Sequence, residues 1–342
     1  MKYKLLSIRG EKETNIGDYV QALASAQFLP QIDGFINREA LKTYNQEECK
    51  VIMNGWYIHH PEQWPPSDKI TPLYVAVHFN ALAQKELLSE ESINYLKKHE
   101  PIGCRDTYTQ NLLTKKGVNA YFSGCMTLTL GNKYKVENNQ REDKCYFVDP
   151  YFITHWTPFT LLKNSIYLLL NWKPISIISK KYPEDKKGLR KKIILTTFYR
   201  EYKKIFTKET LINAEYICQQ NTYYKEQFRT DEERLKEAER LVKKYAKAKL
   251  VVTSRIHCAL PCLGLETPVI YTENASQSEA SACRFGGLRE LFTILKWDKN
   301  KLIPDFKVTQ KLSINNHPTN KPLWEKFAQN LTETCKQFIN DK

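Results

Sequence analysis

No stretch of this 342-residue chain is apolar for long enough to cross a bilayer. The longest apolar tract, F-T-L-L-K-N-S-I-Y-L-L-L-N-W at 159–172, is interrupted by Lys163 and Asn164 and falls short of the roughly 20 residues a spanning helix needs. The first residues, M-K-Y-K-L-L-S-I, hold too few apolar side chains after their basic start for a secretory core, so no export signal is expected. Nine cysteines occur, an odd count with no C-x-x-C pair of the zinc-site kind, which reads as reduced thiols of a cytoplasmic protein. No Asp/His cluster calls for a metal, and none is expected. A fixed-period repeat and low-complexity tracts are also missing, which excludes solenoids and disordered linker proteins.

What is present is the composition of a folding protein: 42% hydrophobic and 26% charged residues, over a length that favours two domains, each able to bury its own core. The formal net charge of +14 favours anionic partners, whether nucleic acid, phosphorylated metabolites or an acidic membrane surface. The lysines are spread through the chain, denser only near 180–204 and 236–249, and no nucleic-acid module accompanies them, so a solvated surface accounts for most and no nucleic-acid partner is expected.

Along the chain, strand and helix signals alternate. Y-K-L-L-S-I (3–8) reads as a strand, N-I-G-D as a loop and D-Y-V-Q-A-L-A-S-A-Q-F-L as a helix. Strands follow at 50–56 and 73–80, parted by the proline-rich H-P-E-Q-W-P-P. Ser89 is placed to cap a helix over 90–98, Gly117 to end one over 107–116, and V-N-A-Y-F-S-G to form the next strand. That alternation predicts a parallel, layered sheet. The polar, aperiodic stretch 131–144 reads as the linker, so residues 1–135 form an N-terminal Rossmann-like domain and 136–342 a second. In the latter, Thr230 and Glu233 form a capping box before an apolar stripe, and residues 249–273 read as strand, short helix and strand.

Thr253, Ser254 and Arg255 stand at the carboxyl end of the first of those strands, where open parallel sheets bind ligands, and His257 follows in the first turn of the helix. The helix N-terminus and the arginine fork suit a carboxylate or phosphate, and an imidazole beside a bound anion suits proton transfer. From spacing alone, a histidine at a helix start reads as a packing or capping residue before it reads as a catalyst.

Four motifs recur in order: N-I-G-D at 15–18, I-G-C-R-D-x-x-T at 102–109, S-G-C-M-T-L-T-L at 123–130 and T-S-R-I-H at 253–257, with C-R-F-G-G-L-R-E-L at 283–291 closing the series. Their order and spacing resemble the polysaccharide pyruvyl transferase family, with Ile256 where that family's signature usually has leucine. The resemblance implies two Rossmann-like domains facing a cleft, similar to the GT-B glycosyltransferases. It also implies transfer of pyruvate from phosphoenolpyruvate to a sugar as a ketal in the assembly of a bacterial surface polysaccharide, with no further cofactor. On that reading Arg255 and Ser254 lie on the donor, and His257 is the general acid or base. Arg105 and Asp106 are either a second anion contact or an ion pair with each other. Asn15, Gly17 and Asp18 bind ligand or cap a helix. Arg284 reaches the donor or acceptor, or is solvated. Cys125 and Cys258, though inside motifs, read as small apolar fillers. A GT-B glycosyltransferase with a nucleotide-sugar donor uses the same helix N-terminus and remains the competing reading.

The segment 151–205 mixes aromatic residues with a Lys/Arg cluster from 180 to 192. It is either an insertion packed on the second domain or a surface lying on anionic lipid at the inner face of the plasma membrane, where a lipid-linked sugar acceptor would be found.

Overall fold

The structure is a computed structural model that describes residues 1–8, 14–57, 59–183, 187–221, 227–276 and 282–341. Lys186 of the basic cluster lies outside them.

The first half is a parallel ladder. Phe35–Asn37 pairs with Leu5–Ser7, Lys2–Tyr3 with Cys49–Ile52, and Cys49–Ile52 with Ile70–Leu73. The predicted strand 73–80 is broken: Ala76 takes φ 54°, and His78–Phe79 pairs separately with Trp56–Tyr57. The ladder nonetheless continues, because Gly103 N–H donates to the Tyr74 carbonyl and Val77 bridges to Cys104, leading to Ile102–Cys104 and Ala120–Phe122. The second half holds a six-stranded sheet in the order Glu215–Ile217, Glu142–Val148, Ala248–Thr253, Val269–Asn274, Thr293–Asp298, Lys301–Pro304, parallel except for the last pair. Its central strand Ala248–Thr253 is covered on both faces, which is why L-V-V reads as an unbroken apolar run. The mixed α/β class with mainly parallel sheets is therefore as expected.

The capping signals read from sequence hold. Thr230 accepts from Glu233 N–H while Glu233 reaches back to Thr230, Ser89 accepts from Ser92 N–H, and Gly117 takes φ 75° just past the helix Thr107–Lys115. The aperiodic stretch 131–144 is more ordered than a linker. Gly131–Tyr134 is a helical turn, and a Cβ on Gly131 would stand 2.0 Å from the Gly264 carbonyl oxygen, so the two backbones touch where only glycine fits. Arg141 donates to the carbonyls of Ala246, Ala248 and Leu265, and Glu142 already begins a strand. These contacts are all long-range, so nothing local in the sequence announces them.

Three apolar cores result. One lies within the first half and one beneath the helices of 158–205. The third joins Ile16, Tyr19, Val20 and Leu23 of the helix Ile16–Ala26 to Leu241, Val242, Cys258 and Leu263 of the second half. The last helix, Glu325–Asn340, buries Leu331 and Cys335 in that third core and returns to the first half, where Lys50 Nζ donates to the Phe338 carbonyl.

Candidate functional site

Ile256–Gly264 is a short helix following the strand Ala248–Thr253, with Arg255 at its N-cap position. Pro261 sits inside it. Proline has no N–H to give the carbonyl four residues back, and that carbonyl belongs to His257, which adopts a non-helical φ −85°, ψ 18°. The local sequence thus bends the helix at the histidine. The ring lies against the start of the other helix: a Cβ on Gly17 would be 3.1 Å from His257 Cβ and 3.3 Å from Nδ1. Gly17 therefore leaves room for His257.

His257 is buried, and its Nε2 has no hydrogen-bond partner among the described residues. Burial first, then the positive fields of Arg105, Arg284 and Arg38, hold its pKa well below the ordinary 6.5, so the ring is neutral at physiological pH. Arg105 Nε and Arg284 Nε are likewise buried without a hydrogen-bond partner among the described residues. Arg284, on the short turn Cys283–Phe285, packs over Trp56 with its guanidinium 5.7 Å from the ring centroid, and burial followed by repulsion from Arg105 and Arg255 lowers its pKa.

Asp106 forms the expected ion pair with Arg105 at the long distance of 4.0 Å, and its closer contacts lie elsewhere. Its carboxylate is fully buried and committed elsewhere: Oδ1 accepts from Thr109 N–H as the N-cap of Thr107–Lys115, and Oδ2 meets His78 Nδ1 at 2.6 Å. The aspartate therefore positions His78, a residue the sequence reading passed over as part of a strand. His78 is buried, with a pKa lowered chiefly by burial, and its Nε2 is another polar atom without a partner among the described residues. A histidine interrupting an apolar run at the end of a strand was the signal available.

Asn15 is a cap, its side chain accepting from Gly17 N–H. Asp18, one turn into the same helix, faces Arg38 at 3.7 Å; burial raises its pKa although Arg38 and Arg105 oppose the shift. Arg38 was also missed from sequence. Ser254 donates to the Asp149 carbonyl, and Arg255 Nε pairs with the Asp149 carboxylate at 2.7 Å, so both hold a residue in the left-handed region at φ 42°. Arg255 still lines, with Arg284, Ser254, Tyr151, Tyr271 and Asn274, an open cleft of about 480 Å³ at the strand ends. Cys125 and Cys258 are fully buried fillers, and burial raises the Cys125 thiol pKa.

The motifs meet physically. Thr107 N–H donates to the Gly286 carbonyl, linking the second motif to the closing one, and Ser123 Oγ donates to the Cys104 carbonyl, linking the third to the second. Gly17 joins the first to the fourth through His257.

These features are of a parallel α/β protein with arginines and neutral histidines gathered where strand ends from both halves meet. The family model described as Polysaccharide pyruvyl transferase matches residues 15–276, well over half of the chain. The chain belongs to the polysaccharide pyruvyl transferase family, which makes it a transferase by class; the closing stretch 283–291 lies beyond the matched span. No curated protein matches it. Among solved structures, Escherichia coli heptosyltransferase WaaC with ADP aligns over 98% of this chain and 100% of its own at 10% identity, with a TM-score of 0.27, too low to bear on fold or activity.

Proposed function

We propose that the protein transfers pyruvate from phosphoenolpyruvate to a sugar as a ketal, in the biosynthesis of a bacterial surface polysaccharide, with its two halves acting as a GT-B-like pair of Rossmann-like domains. The observation that carries this reading is the set of buried polar atoms without hydrogen-bond partners among the described residues: His257 Nε2, Arg284 Nε and Arg105 Nε, the last with only a long 4.0 Å ion pair to Asp106, drawn from three motifs. Buried cations of like sign are costly unless an anion joins them. Phosphoenolpyruvate offers two anionic groups, one for each arginine, with Arg255 at the cleft mouth.

The reaction protonates the enol methylene, forms a bond from one sugar hydroxyl to the central carbon, releases inorganic phosphate with the former enol oxygen, and closes through a second hydroxyl. Of the two protons lost from the hydroxyls, one is made up on the methylene and the other leaves on the released phosphate. His257 exchanges them. Without a bound anion, burial first and then the arginine field keep it neutral; an anion opposite Arg105 and Arg284 offsets the arginine part of that shift and moves the pKa upward, towards a ring that can also donate a proton. His78, oriented by Asp106, is a second neutral imidazole within the field of the same two arginines.

Calorimetry with phosphoenolpyruvate, in buffers of different ionisation enthalpy, tests this. Binding accompanied by proton uptake, lost in Arg284→Ala and retained without uptake in His257→Gln, is the expected result. Failure to bind phosphoenolpyruvate while binding a nucleotide sugar would overturn it in favour of glycosyl transfer.

A further inference from the structure

The helix Pro158–Leu170 buries Leu168 in the core yet leaves most of its apolar residues outside. Its buried side holds Asn164, whose amide donates to Thr197 Oγ1 at 2.9 Å and accepts from Arg200 Nη1 at 2.6 Å. Its outward side holds Phe159, Leu162, Ile166, Leu169 and Leu170, exposed by 76, 62, 52, 74 and 80%. At about 100° per residue these five fall within an arc of roughly 120°, a continuous apolar stripe on the solvent side. Trp156, Trp172 and Leu189 extend the apolar surface and are also exposed. Soluble proteins seldom leave so much contiguous apolar surface open, and none of the described residues covers it.

The rim says what does. Between 151 and 200 the sequence has ten Lys or Arg against two acidic residues. Lys192 Nζ stands 3.8 Å from the Trp172 ring centroid, and the Arg190 guanidinium 5.2 Å from that of Trp156. Each exposed indole thus has a cation beside it, the pairing found where an apolar body enters lipid and its polar edge stays at the headgroups. No described helix is long and apolar enough to cross a membrane, which leaves lying on the surface.

We propose that the face formed by Pro158–Leu170, Trp156, Trp172 and the basic rim docks on an anionic lipid bilayer, with the stripe in the acyl boundary and Lys163, Lys173, Arg190 and Lys192 at the phosphates. The segment begins at Tyr151, which lines the cleft and whose carbonyl accepts from the Tyr202 hydroxyl at 2.9 Å. Docking therefore brings the cleft mouth near the lipid surface. The inference does not depend on which donor the cleft takes.

Flotation of the full chain with phosphatidylglycerol/phosphatidylcholine vesicles tests it. The expected result is binding that weakens with salt and falls at least about tenfold in Leu169→Glu/Leu170→Glu. Because both side chains already face solvent, the fold is kept, as an unchanged thermal transition would verify. Lys243→Glu/Lys247→Glu, on a different surface, keeps most of the binding. Three results would overturn the proposal: no flotation with anionic vesicles, flotation untouched by the double leucine change, or a dimer in lipid-free solution that Leu169→Glu/Leu170→Glu dissolves, which would make the face a contact between copies.

Discussion

Gly17 and His257, 240 positions apart in sequence, face each other so closely that a methyl group on the glycine would come within 3.1 Å of the histidine's Cβ. Alanine in a helix is otherwise better than glycine by about 1 kcal/mol. Gly17→Ala therefore sets a propensity gain against a displaced imidazole. We expect little net change in thermal stability but a loss of about tenfold in phosphoenolpyruvate affinity, read by calorimetry. Unchanged affinity would show that the glycine is there for the helix start alone.

Pro261→Ala restores an N–H that can reach the His257 carbonyl and removes the ring that bends the helix. Stability is expected to hold or rise by up to about 1 kcal/mol in denaturant unfolding, while ligand binding weakens because His257 swings with the straightened backbone. A variant that loses stability and keeps binding would refute this account of the kink.

Acid should destabilise the unliganded protein earlier than carboxylate protonation would. Unfolded histidines take a proton near 6.5, whereas burial holds the His257 pKa well below that point and lowers that of His78. Between the folded and unfolded values the unfolded chain binds more protons, so the stability they contribute is complete above pH 6.5 and is lost as pH falls below it. The slope is up to about 1.4 kcal/mol per pH unit for each histidine. Urea unfolding at pH 7.5, 6.5 and 5.5 measures it, and His257→Gln should flatten the slope.

Asp106→Asn keeps a good N-cap for Thr107–Lys115 but takes the negative charge from His78. The expected consequence is a modest loss of stability, about 1 kcal/mol, with a lowered His78 pKa visible by NMR. Asp106→Ala, which also removes the cap, should cost more. Equal losses would mean that the carboxylate matters only as a cap.

Much of the fold was legible because its signals are local. The capping box at Thr230, the cap at Ser89 and the apolar run of Ala248–Thr253 each follow from residues within one turn or one strand. His257 and Arg284 were legible as candidates because motif residues cluster at strand ends and turns. Arg38, His78 and Asp149 were not, since each enters through contacts made across the chain: Arg38 with Asp18, His78 with Asp106, Asp149 with Arg255. The same distance effect hid the order in 131–144, which rests on Gly264 and on the carbonyls that Arg141 reaches. For Pro158–Leu170 the sequence left two readings open, a packed insertion or a lipid-facing surface, because its apolar residues exceed what one buried face with Asn164 and Leu168 takes up.

The helix Ile16–Ala26 packs on both halves: Tyr19 donates to Asp231, and Val20 and Leu23 share one core with Ile52 and Val75 of the first half and Leu241 and Val242 of the second. The two halves are consequently stitched together rather than hinged. Fragments 1–135 and 136–342 made separately should each be insoluble and should recover a cooperative thermal transition only when co-expressed, as differential scanning calorimetry would register. Selection at this seam acts on both halves at once, so neither can be exchanged for a foreign counterpart without carrying its share of the stitching along.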